Sequence, residues 1–392
     1  RQDISASSVG QRGVVQYCYE AVNTLSNPAW PDDAERAGVG GVPLAGGVPR
    51  SPLRSPTLKK MGDPMSAGGA DAPGAVLRPA AGSAEVTAGL RMIFSSSGPA
   101  PADDTQVGDF IRFAGHRGIQ LAELQLLVDR PAGGAADAAG ERLLWAVLPI
   151  YNPGRTMLLL GASAVTASGA GAGGAMRAGV ESLCRSGATR GVQLAQVLLD
   201  PADRTTIDLY EPAGFRIMAE LIYLHRTLRR APPPAAPAPA GFTLESYSQA
   251  NHTRFAAGIL ASYVDSQDCP ALNGIRNIDD VIAGHKASGD FDPSDWLLIS
   301  HDGEPAGVLL LNRSGQMGGM ELVYLGLAPA VRRKGFGQWA MSLALARVWQ
   351  HKLSSLTLAV DAGNAQALRL YHRFGMQRVM SKLALMRELK LE

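Results

Sequence analysis

Cysteine is scarce in this chain, with three in 392 residues. Cys18, Cys184 and Cys269 are isolated and match no ligand spacing, which excludes a disulfide framework and a cysteine-based metal centre. No metal is expected, and a reducing cytoplasm is the expected setting. An excess of charge is missing too: 37 basic residues face 35 acidic ones, a formal net charge of +2. That balance leaves no strongly basic region of the kind that binds nucleic acid. No charged n-region followed by an apolar h-region opens the sequence, so no signal peptide is read there. The longest uncharged run, Thr156 to Met176, turns to Ala, Gly and Ser in its second half. A membrane-spanning helix needs sustained apolar residues, so the run reads as a buried strand and a loop, and no membrane partner is expected.

Proline and glycine are plentiful, at 25 and 45 residues, and their placement divides the chain. Residues 1–84 carry Pro, Gly, Ala and Ser at high density, most clearly from Gly38 to Pro56. Such a segment buries too little apolar surface to offset its ordering entropy, so it is expected to be disordered. Met61 and Met65 stand just before the more regular sequence, and either is an expected alternative start. Residues 231–240, Ala-Pro-Pro-Pro-Ala-Ala-Pro-Ala-Pro-Ala, read as a semi-rigid extended linker. The expected division is 1–84, a first lobe 85–230, the linker 231–240 and a second lobe 241–392.

The two lobes repeat one another. Leu209-Tyr210 before Gly214-Phe215 matches Leu370-Tyr371 before Gly375-Met376, 161 positions on. The same offset carries Asp203 onto Asn364 and the strand Ala219–Leu224 onto Met380–Leu385. A period this long means a duplicated domain. It also sets Gly171 opposite Arg332 and Gly174 opposite Gly335, so the first lobe's glycine turn has no basic residue in it. Those glycines spell Gly169-x-Gly171-x-x-Gly174, a formal dinucleotide fingerprint, but no acidic residue follows in the expected place and NAD is not expected.

The second lobe holds the stretch with the most chemistry, Glu321 to Trp339. It reads as an apolar strand, a basic glycine turn and a helix that starts near Gly337. Gly335 and Gly337 let the backbone bend sharply and approach a ligand. The free N–H groups of the following helix point back at the turn, where the helix dipole favours an anion. Arg332, Arg333 and Lys334 add cations, and the turn is expected to hold a phosphate or pyrophosphate; a solvated basic turn is the plainer alternative.

The order strand, Arg-x-x-Gly-x-Gly, helix resembles the acyl-CoA motif of the GNAT superfamily of N-acetyltransferases. Leu356 to Asn364, the helix with Leu370-Tyr371, and the Gly375 turn into a last hairpin look like that family's next segments. The resemblance covers the second lobe and, more weakly, the first. It implies an α/β fold with an α+β mixed sheet, in two tandem GNAT-like domains of which the first is degenerate. The expected element order is strand, helix, helix, three strands, helix, strand, helix, hairpin.

The resemblance also implies a function. Acetyl-CoA would be the co-substrate of an acyltransferase moving acyl groups other than amino-acyl ones. The acceptor would be a primary amine of a small molecule or peptide, attacking directly. Main-chain groups of Leu327 and Ala328 would meet the pantetheine arm and thioester, with Asn364 near the arm or acting only as a helix cap. Arg332, Arg333, Lys334, Gly335, Phe336 and Gly337 would hold the pyrophosphate. Tyr371 would be the general acid toward the CoA thiolate, or else packed core. Glu321 would be the general base, or else a solvated strand end, with Asp361 and Tyr324 as alternatives. A non-catalytic acyl-CoA-binding or scaffold protein is the reading from another class. The acceptor loops are expected at Ser266–Asp279 and Gln316–Met320.

Overall fold

Two stretches of about 150 residues fold with one element order, and each hands its last strand to the other. The computed structural model describes residues 75–96, 101–129, 141–164, 171–269, 276–314 and 318–390. The expectations for Met61, Met65 and most of the glycine turn before Gly171 lie outside the described residues, as do parts of both acceptor loops.

The first lobe runs β1 (Ala75–Pro79), α1 (Ser83–Ser95), α2 (Asp104–Arg117), β2 (Gln125–Asp129), β3 (Arg142–Asn152), β4 (Thr156–Gly161), α3 (Ala172–Thr189), β5 (Leu194–Leu199), α4 (Arg204–Tyr210) and β6 (Arg216–Thr227). The second runs β7 (Phe242–Ser246), α5 (His252–Tyr263), α6 (Ile278–Ala287), β8 (Trp296–His301), β9 (Glu304–Ser314), β10 (Gly319–Leu327), α7 (Phe336–Gln350), β11 (Ser355–Asp361), α8 (Ala365–Arg373) and β12 (Gln377–Glu388). The first described strand and the start of α1 thus precede residue 85, where the lobe was expected to begin. The expected closing hairpin is a single strand, β12.

The hairpin's other half comes from the first lobe. The twelve strands form one sheet in the order β1-β2-β3-β4-β5-β12-β6-β11-β10-β9-β8-β7. Strand β12 therefore pairs antiparallel with β5 of the first lobe, from Leu194–Glu388 to Leu199–Leu383. Strand β6 pairs antiparallel with β11 of the second, from Ser355–Thr227 to Asp361–Leu221. Between them β6 and β12 pair with each other, and Leu221 lies opposite Lys382, its own counterpart 161 positions on. A pseudo-twofold axis passes through that pair. Along the chain residues 231–240 lie between β6 and β7, whereas the sheet is divided between β5 and β12 and between β6 and β11.

Sequence pattern explains the burial. All seven residues of β11 are buried, as expected of an apolar strand covered on both faces by helices. Leu322, Met341, Leu345 and Leu358 pack on one face of the second lobe, and Phe255, Ile259, Trp296 and Tyr324 on the other. Phe110, Trp145 and Phe215 fill the first lobe.

The repeat carries a local shift. Gly335, at φ 86°, precedes α7, and its counterpart is Gly171, at φ 91°, before α3. The expected alignment of Gly174 with Gly335 is therefore off by one helical turn. The 18-residue α3, against 15 residues in α7, restores the register by β5.

The lobes also meet outside the sheet. Arg155 Nη2 pairs with Asp280 at 2.6 Å, and the Arg276 guanidinium donates to the Gly154 carbonyl at 2.7 Å. The linker lies against α7, where Trp339 Nε1 donates to the Ala236 carbonyl at 3.1 Å. The exchanged strands predict that cutting a protease site engineered at Pro232–Pro234 leaves both fragments bound, because three backbone ladders cross the cut. Size-exclusion chromatography after cleavage checks this; separation of the fragments would contradict the strand order.

Candidate active site

The site begins where two parallel strands part. Strands β10 and β11 pair only from Gly319–Ser355 to Glu321–Thr357. Beyond Glu321, β10 bulges at Val323, so that Leu322 lies opposite Leu311 but Tyr324 opposite Leu310 on β9. A bulge bends the strand that carries it. Strand β11 meanwhile stays on β6 to Asp361. The fork opens into a cleft of ≈ 880 Å³, within the usual range for a small-molecule site.

Strand geometry decides which main-chain groups face the gap. The Ala328 N–H donates to the Ala306 carbonyl at 2.7 Å, on the β9 side. Successive N–H groups alternate, so that of Leu327 is directed to the cleft side. Leu325, Gly326 and Leu327 line the cleft, whereas Ala328 does not. Gly326 has no room for a side chain: a Cβ there would fall 2.3 Å from Ser262 Oγ and 2.5 Å from the Tyr324 hydroxyl.

At the mouth stands the basic glycine turn. Gly335 sits in the left-handed region with open space where a Cβ would be, and Arg333 shares that conformation at φ 62°. The N–H groups of Gln338 and Trp339 return to the Gly335 carbonyl. Those of Phe336 and Gly337, in the first turn of α7, have no acceptor within the helix. Gly335, Gly337 and Arg333 line the cleft; Lys334 is exposed beside it, and Phe336 turns away onto Phe242, ring centroids 4.1 Å apart.

Arg332 lines the cleft and also braces it. Its guanidinium donates to three main-chain carbonyls: Leu327 at 2.8 Å, Asp265 at 3.1 Å and Ser262 at 2.8 Å. It ties the end of β10 to the end of α5 across the cleft floor, and burial lowers its pKa from the ordinary arginine value. The arginines that line the cleft are Arg332, Arg333 and, from α8, Arg369 and Arg373.

Tyr371 is buried on α8 and lines the cleft. Asn364 caps that helix, its side chain accepting from the Ala367 N–H at 3.1 Å, and also lines the cleft. Asp361 spends both carboxylate oxygens on backbone, accepting from Gly363 N–H at 2.7 Å and Cys269 N–H at 2.9 Å. It moors the loop after α5 and is poorly placed to take a proton.

Tyr324 and Glu321 share a face of β10. The Ser262 hydroxyl donates to the Ile259 carbonyl at 2.6 Å, so the Tyr324 hydroxyl, 2.6 Å from Ser262 Oγ, is the donor of that pair. Tyr324 lines the cleft wall. Glu321 is buried, 3% exposed, opposite Asn312 and at the fork itself, and does not line the cleft. The solvated strand end is thereby excluded for Glu321.

The first lobe repeats the scaffold, with its main-chain groups differently engaged. Its fork pairs Leu158 with Gln196 where the second lobe pairs Glu321 with Thr357. Past it, the Ser163 N–H donates to Ser96 Oγ at 2.9 Å and the Ala164 N–H to Thr206 Oγ1 at 2.8 Å, so side chains occupy these main-chain donors. Tyr210, the counterpart of Tyr371, is 1% exposed, its hydroxyl has no hydrogen-bond partner among the described residues, and burial pushes its pKa up.

Sequence reasoning missed Ser262, Arg369 and Arg373. The two arginines, at i and i+4 around Leu370-Tyr371, left a signal on one helix face. Ser262 left none, because only the packing of α5 against β10 brings it to Tyr324.

Residues 266–376 match the model of the Acetyltransferase (GNAT) family. Over 100 residues the chain is 32% identical to a mycothiol acetyltransferase of Streptomyces avermitilis, covering 26% of this chain and 31% of that protein. The match thus spans about a third of that curated relative's length. A GCN5-related N-acetyltransferase from Sphaerobacter thermophilus superposes with a TM-score of 0.54 at 16% identity, over 81% of this chain and 96% of that one. The glucosamine N-acetyltransferase region of a fungal multi-domain GH3 β-N-acetylglucosaminidase gives 0.50 at 15%, over 80% and 38%. At such identities the two structures establish a common fold.

The three carbonyl bonds of Arg332 predict that Arg332→Met loses about 3 kcal/mol of stability, the scale of buried charge-assisted hydrogen bonds. Arg333→Met, at an exposed position, should stay within about 0.5 kcal/mol of the parent. Urea unfolding monitored by tryptophan fluorescence measures both; equal midpoints would remove the clamp.

Proposed function

We propose that the second lobe, whose residues 266–376 match the GNAT family model, moves an acetyl group from acetyl-CoA to a primary amine by direct attack. The observation that carries this reading is the coincidence, in one cleft, of the β10–β11 fork, the glycine turn before α7, and Tyr371. The fork offers main-chain groups that an extended pantetheine arm pairs with as an added strand does. The N–H groups of Phe336 and Gly337, with Arg333, suit the pyrophosphate. Asn364 borders the arm's path while capping α8.

In the proposed step the amine nitrogen attacks the thioester carbonyl carbon, and the oxyanion forms opposite the Leu327 N–H. One such main-chain donor is worth about 3–4 kcal/mol of barrier. The intermediate collapses with cleavage of the carbon–sulfur bond, and the Tyr371 hydroxyl protonates the departing thiolate. The amine's own proton leaves toward Glu321, past the Tyr324 oxygen, which first accepts a hydrogen bond from the incoming ammonium. The acceptor is a small molecule or a peptide, and neither a nucleic acid nor a membrane is needed to present it. No metal is assigned a role. The first lobe, with its donors spent, serves as a structural partner.

Two measurements check this. Tyr371→Phe should lower kcat by about 100-fold, the scale of a single general acid, with acetyl-CoA affinity nearly intact; unchanged turnover would remove Tyr371 from the chemistry. Calorimetric titration of acetyl-CoA into residues 65–392 should show a single site, abolished by Arg333→Glu with Gly335→Asp. Two sites would restore the first lobe as a binder. Binding without turnover over a broad amine panel would favour the scaffold reading.

A further inference from the structure

The exchanged strands do more than complete the sheet. Arg226, on β6 of the first lobe, donates through Nη1 to the carbonyl of Phe374 at 2.6 Å, 148 positions away. Phe374 is the residue immediately after α8, and its own N–H donates to the Tyr371 carbonyl at 3.0 Å. The Met376 N–H reaches the same carbonyl at 3.1 Å. Gly375, at φ 70°, turns the chain out of the helix beneath the Arg226 side chain, which lies 3.8 Å from where a Cβ would stand.

The counterpart of this contact is present in the other direction. Arg387, on β12 of the second lobe, donates through Nη1 to the Ala213 carbonyl at 2.7 Å. Arg226 and Arg387, Phe374 and Ala213, and Gly375 and Gly214 are each 161 positions apart. Each lobe therefore sends an arginine on its exchanged strand to the C-terminal turn of the tyrosine helix in the other lobe. The carbonyls that end a helix lack internal partners and carry the negative end of its dipole, so a fixed cation there is stabilising and directional.

We propose that Arg226 is a positioning residue for the reaction in the second lobe: through the C-terminal turn of α8 it sets the Tyr371 hydroxyl against the thiolate. This rests on the acetyltransferase reading for the second lobe. Arg387 makes the same bond to the turn after the helix of Tyr210, whose hydroxyl is buried among the described residues, so its loss costs packing without touching the second lobe's chemistry. The duplication thus supplies its own control. The first lobe contributes to turnover from outside the cleft, without binding either substrate.

The test compares Arg226→Met and Arg387→Met. Arg226→Met should lower kcat about 10- to 100-fold, the cost of misplacing a catalytic group by up to an ångström, with the KM for acetyl-CoA unchanged. Arg387→Met should lower the melting temperature comparably and leave kcat at the parent value. Arg226→Lys, which keeps a cation at the helix end, should recover part of the loss. In a Tyr371→Phe background, Arg226→Met should cause no further fall. Equal kcat losses in the two methionine variants, or a parent-like kcat in Arg226→Met, would overturn the proposal. Should the parent show no turnover, the acetyltransferase reading fails first. Amide hydrogen exchange then decides the clasp: Arg226→Met should speed exchange in α8 and not α4, Arg387→Met the reverse, and any other pattern refutes it.

Discussion

The antiparallel ladder between β6 and β12 is the constraint on which the rest of the structure depends. Leu221 and Lys382 meet at its centre, and from there each strand runs outward into the other lobe. A one-residue slip in such a ladder would turn every side chain to the opposite face. Its register therefore fixes how β6 presents itself to β11, and so where the cleft opens. Strand β11 is held along its length by β6, while β10 is drawn by its bulge toward β9. Neither strand can close the gap between them, and the fork is a standing feature of the sheet.

The same scaffold appears twice, and the comparison separates architecture from chemistry. Both lobes have the three-pair fork, a left-handed glycine before the following helix, and a capped short helix with a buried tyrosine. What differs is whether main-chain donors remain for a ligand. In the first lobe Ser96 and Thr206 satisfy the N–H groups past the fork, and Leu158 stands where the second lobe has Glu321. Buried polar backbone must find partners.

Arginine has two separate uses in this protein. Arg332 and Arg226 direct their guanidinium groups at main-chain carbonyls, joining elements that are distant in sequence. Arg333, Arg369 and Arg373 line the cleft, where an anionic ligand would meet them. A planar fork of donors suits the first task, and a permanent charge suits the second. The residue type is the same; the neighbouring carbonyls decide.

The helices α6, at Ile278–Ala287, and α8, the strand β8, and the glycine turn were legible in the sequence, because each is encoded by neighbours: apolar periodicity, an Asn or Asp cap, a glycine with positive φ. The repeat was legible for the same reason, and with it Tyr371 and Asn364. The three-residue shift at the turn was not, since helix length is set by the packing of α3 rather than by its ends. Strand exchange was beyond the sequence, because β6 has the same apolar pattern whether it pairs with β5 or with β11. Arg332, which its motif places at the phosphate, lines the cleft and also donates to three carbonyls, two of them some 70 positions away in sequence. The identity of each local element was thus written in the chain. Which donors and acceptors remained for a ligand was decided only when distant backbone came together, because hydrogen bonds are allotted by proximity in space.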